Sequence, residues 1–474
     1  MQRDFPINTV LRELEADDLL PAIVFRTSRS QCDNDVQRLG SNKRYFLDKS
    51  HQKKLQVAIK DIVARYDMDF ELISTHQHYR ALLLTGVGAH HAGQLLVWRL
   101  MLEELMSAGL LRVLIATGTV AAGVDFPARS VVITAHTRRG SEGFQTLSSS
   151  EFQQMSGRAG RRGKDAVGFC VIAPSMFCDA RSLLKVAKRP PEPLKSAYFP
   201  SPSSVLNLLR YRNVDDLRFT VARSLASFVD KREAGDILAE ARKIESDNKA
   251  LFSKSDGEEF TKEEKRIRKK VRRLVRKADE LRSRQETLVE MSLSGLESLG
   301  YVDGASLSEK GYWAAMLCTG VVLELSEILE SGLFEGASAD RLAAIVGSFA
   351  GDFHRKYLDP REDVLGGDVH ERIESIIKKV QGTNIPGLQE IGGVSQSGAY
   401  TVLVWLKSQD WKEFRGLLNL SGVAEGDAAR LITQTADHLN QLTRLSESHP
   451  KIAFRAEEAK RRLLRPPLTE AIEV

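Results

Sequence analysis

The densest chemistry in the chain is the string Glu151-Phe-Gln-Gln-Met-Ser-Gly-Arg-Ala-Gly-Arg-Arg-Gly-Lys-Asp165. Ser150 with Gln153 three residues later has capping-box spacing, so a helix is expected to start there. Gln154, Arg158 and Arg161 then fall near its far end, and Gly157, Gly160 and Gly163 allow close backbone approach. Two arginines three apart suit a triphosphate, because each is a planar, permanently charged fork that pairs with phosphate oxygens. A generic R-x-x-R is usually a solvated basic helix end. The complete Q-M-S-G-R-A-G-R-R-G-K-D string is what favours phosphate chemistry here.

Two further strings add polar groups of a complementary kind. In Val113-Leu-Ile-Ala-Thr-Gly-Thr-Val-Ala-Ala-Gly-Val-Asp-Phe-Pro-Ala128 an apolar strand runs into a loop of small hydroxyl residues. Thr117 and Thr119, with loop amides, can hydrogen-bond a nucleic-acid phosphate, and Asp125, beside Gly123, can orient a ribose or a water near a nucleotide. Read alone, the string is also an ordinary strand ending at a Gly-Pro turn. In Phe25-Arg-Thr-Ser-Arg29 the first strand ends, which puts Ser28 and Arg29 at the carboxyl edge of a sheet, where open α/β sheets bind ligands.

The elements that must hold these groups are legible as well. Ala22–Phe25, Val113–Ala116, Val131–Thr134 and Phe169–Ile172 are short runs rich in β-branched residues. The stretch from Gln94 to Gly109 has the apolar spacing of a helix with a glycine stop. Buried strands alternating with amphipathic helices predict an α/β domain with a mainly parallel sheet. Five of the fourteen prolines fall between Pro190 and Pro202, which reads as a linker.

Beyond it the pattern is helical. Lys231 to Leu251 and Thr261 to Leu288 carry apolar stripes at i, i+3, i+4, i+7 spacing around a turn at Ser253–Gly257, predicting an antiparallel helical hairpin. A helix from Leu288, the strand-like Gly300-Tyr-Val-Asp303 and Leu307–Gly311 suggest a winged-helix ending. The tail reads as helices separated by Gly and Pro, closing with a long one from Glu425 to Glu447.

At 474 residues the chain is too long for one ordinary domain. Its 42% hydrophobic and 28% charged residues exclude disorder throughout. No apolar run approaches the roughly 18 residues of a membrane helix, and no secretory signal is visible, so a cytoplasmic setting is expected. Cys32, Cys170, Cys178 and Cys318 lack C-x-x-C spacing, which argues against a zinc ribbon or disulfide framework. His76, His78, His90 and His91 look like a metal cluster, but no carboxylate or cysteine completes a ligand spacing, and no metal is expected. Net charge is +5, yet Lys262 to Arg284 holds twelve Lys or Arg against four acids, so the other residues are slightly acidic in sum. Arg268, Lys269, Arg272 and Arg273 in this run are either a solvated coiled-coil face or a contact for RNA or another partner.

In order, the three strings resemble motifs IV, V and VI of the second RecA-like domain of superfamily 2 helicases. His90-His-Ala-Gly93, the A-T-G-T-V-A-A-G-V-D-F-P-A form of motif V and the R-R-G-K-D ending of motif VI narrow this to the superkiller (Ski-like) DExH RNA helicases associated with RNA decay. Val404-Trp-Leu, Glu425-Gly-Asp and Arg430 resemble that group's carboxyl-terminal helical domain, and Arg223–Phe228 its winged helix. The resemblance implies a RecA-like, P-loop NTPase-type domain at 1–180 and a winged helix at 181–320, with the hairpin inserted at about 231–290. A ratchet-like helical domain would occupy 321–474. It also implies that Gln154 and Arg158 contact ATP phosphates, that Arg161 is an arginine finger, and that Gly123 and Asp125 sit beside the nucleotide. Ser28, Arg29, Thr117 and Thr119 would hold the RNA backbone. Arg430 and Gln434 share a polar face of the ratchet-like helix with Asp437 and Gln441; that face is either an RNA contact or simply solvated. ATP with Mg²⁺, single-stranded or partly duplex RNA and an RNA-decay nuclease complex are the implied ligand and partners.

Such a helicase also needs G-x-x-x-x-G-K-[ST] and D-E-x-H strings on a first RecA-like domain, which would carry the Mg²⁺ ligands. Neither string occurs in these residues. The expectation is a fragment, a split enzyme or a degenerate paralogue, inactive as an ATPase without that domain in cis or trans. A DNA-repair helicase of the same architecture is the rival within the class, and the R-R-G-K-D ending favours RNA. A non-catalytic nucleic-acid-binding module is the rival outside it.

Overall fold

The computed structural model describes residues 5–118, 128–140, 143–173, 178–196, 198–253 and 260–468. Its amino-terminal half is built on five parallel strands: β1 (Ala22–Arg26), β2 (Val87–His90), β3 (Val113–Thr117), β4 (Ser130–Ile133) and β7 (Phe169–Ile172). They lie in the order β2-β3-β1-β4-β7. A small antiparallel pair, β5 (Thr137–Gly140) and β6 (Gly143–Thr146), stands outside the sheet. Four of the five sheet strands are the apolar runs of the sequence. The fifth, Val87-Gly-Ala-His90, was not anticipated because it has little apolar bulk.

Alternate strand residues feed two separate cores. Ile23, Phe25, Leu114, Ala116, Val131 and Ile133 pack against Leu55, Ile59, Trp98, Leu102 and Phe152 on one face. Ala22, Val24, Val113, Ile115 and Val132 meet Ile7, Leu11, Cys32, Val36 and Leu39 on the other. Helices on both faces are why the strands read as continuous apolar runs rather than alternating ones. Each fully buried leucine contributes roughly 1.5–3 kcal/mol to holding the layers together. The sheet therefore presents rigid ends, and those ends position the candidate site.

The remaining chain is almost all helical and shares one large core, from Val205 to Leu463. Helices Leu225–Asp247 and Lys262–Ser298 pack antiparallel, as expected; the first begins before its apolar stripe and ends short of Leu251, and the second runs on past Leu288. Contacts along the seam run in opposite directions: Lys270 with Glu240 (3.0 Å), Lys277 with Glu233 (3.5 Å), and Gln285 donating to Asp230 (2.7 Å). The second helix is a single 37-residue element that continues through Leu288, where the sequence suggested a new start. Strands β8 (Val302–Asp303) and β9 (Ser306–Leu307) form the short hairpin that follows. The closing helix ends at Leu442 rather than Glu447, and a further helix, Pro450–Leu463, follows it.

Among the described residues no helix is long and apolar enough to cross a membrane.

Candidate nucleotide and nucleic-acid site

The helix of the arginine string runs Ser149–Ser156 and starts two residues earlier than the capping-box reading placed it. Ser148, not Ser150, is the N-cap: its hydroxyl accepts from the Glu151 amide (3.1 Å), and Glu151 accepts from the Ser148 amide (2.9 Å). Ser150 instead meets the carboxylate of Glu192 from the proline-rich linker, which also accepts from the Ser149 and Ser150 amides, both at 2.9 Å. These donors hold the Glu192 carboxyl down at about 2. Two overlapping S-x-x-E/Q patterns were available, and a second carboxylate settled the competition.

Phe152 and Met155 anchor this helix in the core, which leaves Gln154 exposed. The chain then turns and is locked to the residues before β4. The Ala128 amide donates to the Arg158 carbonyl (2.9 Å), and the Gly160 amide donates to the Ala128 carbonyl (2.7 Å). Gly160 makes the turn with φ +92°, in the left-handed region that favours glycine. Gly168 presses so closely behind it that a Cβ there would stand 2.4 Å from the Ala159 carbonyl carbon.

Arg161 is held by Asp165. Its Nε donates to Oδ2 and its Nη2 to Oδ1, both at 2.8 Å, and its amide donates to Oδ2 at 2.9 Å. This fork holds the Asp165 carboxyl well below the usual carboxylate range. The guanidinium proposed for phosphate is thus pre-shaped by a resident carboxylate that a ligand phosphate would have to displace. Arg158 and Arg161 are both half-buried.

The bridge through Ala128 places the arginine turn at the amino end of β4. Ser28, Arg29 and Thr117 are at the opposite, carboxyl end, where Arg26 of β1 lies level with Thr117 of β3. The polar residues of the three strings therefore form two clusters at the two ends of the sheet. Thr119, Gly123 and Asp125, expected between them, lie outside the described residues.

At the carboxyl end the structure changes what two residues do. Ser28 caps the Arg29–Gly40 helix, accepting from the Gln31 amide, so its hydroxyl already has a structural task. Arg29 donates from Nη1 to Asp427 Oδ2 at 2.7 Å. Asp427 is in the first turn of the Glu425–Leu442 helix, one turn before Arg430 and two before Gln434. Arg430 is exposed and Gln434 half-buried, while Gln441 accepts from the Cys318 amide (3.0 Å) and Asp437 is exposed. Arg29 is therefore a tie between the sheet and this helix rather than an open phosphate contact.

Further groups fasten the two regions, among them Arg415, which the sequence did not single out, and Glu425, Gly426 and Gly93, which belong to strings that it did. Buried Arg415 donates to Glu425 (3.0 Å), to Thr75 (2.7 Å) and to the Leu72 carbonyl (3.1 Å). The Gly426 amide donates to the Gly93 carbonyl (3.1 Å), and a Cβ at 426 would stand 2.5 Å from the Ala92 carbonyl oxygen. The histidines serve the same region. His91 Nε2 is 2.9 Å from Asp33, His90 Nε2 is 2.6 Å from Glu103, and His76 stacks on Trp98. Burial pushes the His76 and His78 rings toward the neutral form. Among the described residues no group of His, Cys, Asp or Glu is arranged to hold a metal ion.

The basic hairpin sorts its charges by face. Lys270, Lys277 and Arg284, seven residues apart, pair with acids of the partner helix. Lys269, Arg272 and Arg273 are exposed and have no ion pair among the described residues. Arg268 lies over the Phe260 ring at 4.3 Å.

Comparison with known proteins finds a family match in each half of the chain. Residues 67–163 match the model of the helicase conserved C-terminal domain, and residues 304–471 match that of the DSHCT (NUC185) domain. The DExH-box ATP-dependent RNA helicase DExH15 of Arabidopsis thaliana chloroplasts is 33% identical over 53% of this chain, covering 20% of its own length. The probable helicase HelY of Mycobacterium tuberculosis is 32% identical over 51% of this chain and 26% of its own length. Human superkiller complex protein 2 is 32% identical over 48% and 18%. The matches thus span about a fifth to a quarter of these relatives. The chain carries a helicase conserved C-terminal domain followed by a DSHCT domain, and it is homologous to Ski2-like helicases.

Proposed function

We infer that this chain supplies the second RecA-like domain, the winged helix with its hairpin and the ratchet-like domain of an ATP-dependent RNA helicase, divided at about residues 180 and 320. The observation that carries this reading is the separation of polar groups onto the two ends of one sheet. At the amino end of β4, Arg158 and Arg161 supply donors suited to a polyphosphate, and Gln154 is exposed on the helix that leads to them. At the carboxyl end, Thr117 and the helix bearing Arg430 and Gln434 face a different ligand, the RNA strand.

ATP is the substrate that fits the arginine turn, with Arg161 releasing Asp165 to meet the charge that develops on the transferred phosphoryl group. Mg²⁺ ligation and water positioning belong to a domain with Walker and DExH strings, in cis or trans. An RNA-decay nuclease complex in the cytoplasm is the setting that the superkiller relatives suggest. The hold of Asp165 on Arg161 favours a second reading, a nucleic-acid-binding module in which the arginine is purely structural.

Binding of labelled single-stranded RNA and of single-stranded DNA of the same sequence tests the substrate class. Tighter binding of RNA is expected. Equal or tighter binding of DNA would favour the DNA-repair reading, and binding of neither would remove the nucleic-acid role.

A further inference from the structure

The start of the proline-rich linker has a shape set by its own residues. Pro190, Pro191 and Pro193 each fix their own φ. The residue before each of them, Arg189, Pro190 and Glu192, is steered to extended backbone. These restrictions together select a polyproline II helix, which has three residues per turn and no hydrogen bonds of its own. The linker's contacts keep that repeat. Ser149 Oγ donates to the Arg189 carbonyl (2.7 Å), and one turn on, the Glu192 carboxylate accepts from the Ser149 and Ser150 amides, both at 2.9 Å. Arg189 and Glu192 thus form the edge that lies against the Ser149–Ser156 helix.

The other two edges are left to solvent. Pro190 with Pro193 makes one, and Pro191 with Leu194 the other. All four residues are exposed, Leu194 at 87%, and none has a hydrogen-bond partner among the described residues. Leu194 belongs to none of the cores, so packing within this chain does not account for it. Lys188, Arg189 and Lys195 flank the ridge, exposed and without an ion pair among the described residues. The acid between them, Glu192, is occupied by the helix.

We propose that residues 189–195 are a docking ridge for a second protein, a folded domain whose groove is lined with aromatic side chains and rimmed with acids. Such grooves take up proline-rich segments already held in this conformation, and an acidic rim answers the flanking cations. The prolines and the tie to the helix fix the ridge beforehand, so little entropy is lost on docking. A single-stranded nucleic acid is the poorer occupant, because the ridge offers cations but no ring on which a base could stack. This goes beyond the helicase reading and holds whether or not the chain acts on RNA.

The test titrates the full chain with a purified SH3 domain of the kind that reads P-x-x-P-x-K, the pattern of Pro190 to Lys195. The same domain with its groove aromatics changed to alanine is the control. The intact domain should bind and the altered one should not. Changing Pro190→Ala and Pro193→Ala together should weaken binding about 10- to 30-fold, the loss of a well-packed anchor. Lys195→Glu should weaken it as well, and both variants should melt with the parent because neither touches a core. No binding of the intact domain overturns the ridge, as does a proline variant that binds like the parent. Equal binding of the altered domain also overturns it and would mark a charge contact elsewhere on the chain.

Discussion

Arg29 and Asp427 stand 398 residues apart in the chain and 2.7 Å apart in the fold. Their side chains retain only 26% and 12% of their exposure, so the pair is better sheltered than a surface ion pair and less costly than a fully buried one. Through it a residue read as motif IV is bound to the helix read as a ratchet. A displacement of either residue is therefore felt by the other.

A double-mutant cycle on Arg29→Ala and Asp427→Ala in urea should show a coupling of about 1 kcal/mol, with each single change costing about 1–3 kcal/mol. Additive single costs would mean that the contact contributes nothing to holding the regions together.

Glu324 predicts how stability depends on pH. It is fully buried in the helical core, and neither carboxyl oxygen has a hydrogen-bond partner among the described residues. Burial pushes its carboxyl up to about 7. The folded state therefore binds this proton more tightly than the unfolded state. The favourable term is complete below the ordinary glutamate value and is lost as pH rises through about 7. Glu324→Gln should be more stable than the parent at pH 8 by about 2–3 kcal/mol and nearly equal to it at pH 4. Thermal melting at the two pH values checks this, and a constant difference would contradict it.

Much of this was readable from the sequence, and what was not has definite causes. The four apolar runs became strands because burial on both faces demands apolar residues throughout. β2 was missed because Gly88 and Ala89 give up bulk; a Cβ at 88 would stand 2.6 Å from a Leu102 methyl. The long hairpin helix seemed to break near Leu288, before Ser292-Leu-Ser-Gly295. Gly295 is a packing requirement instead, since its Cβ would stand 2.2 Å from Ile385. The arginine turn was legible as a string, but the Ser148 cap depended on Glu192, 44 residues beyond it. Arg29 with Asp427 joins distant segments and leaves no local signature.

The basic hairpin should contribute electrostatically to RNA binding. Changing Arg268, Lys269, Arg272 and Arg273 to Gln should weaken binding and flatten the log–log salt slope by roughly two to three units, at about 0.7 per single-strand phosphate contact. Melting should shift little, because exposed helix charges contribute tenths of a kcal/mol each and the Arg268 contact with Phe260 about 0.5–1 kcal/mol. An unchanged affinity and slope in the folded variant would return the hairpin to a solvated face or a protein-docking arm.

ATP turnover with RNA, measured for the chain alone and again with a Walker-bearing first RecA-like domain, tests the central claim most directly. The account predicts background hydrolysis alone and RNA-stimulated turnover in the reconstituted pair. Arg161→Ala should then remove about 4–7 kcal/mol of transition-state stabilisation, and Arg161→Lys should restore little, since an ammonium cannot reproduce the fork. Robust turnover by the chain alone, or near-normal turnover by the reconstituted Lys variant, would contradict it and leave Arg161 as no more than the structural partner of Asp165.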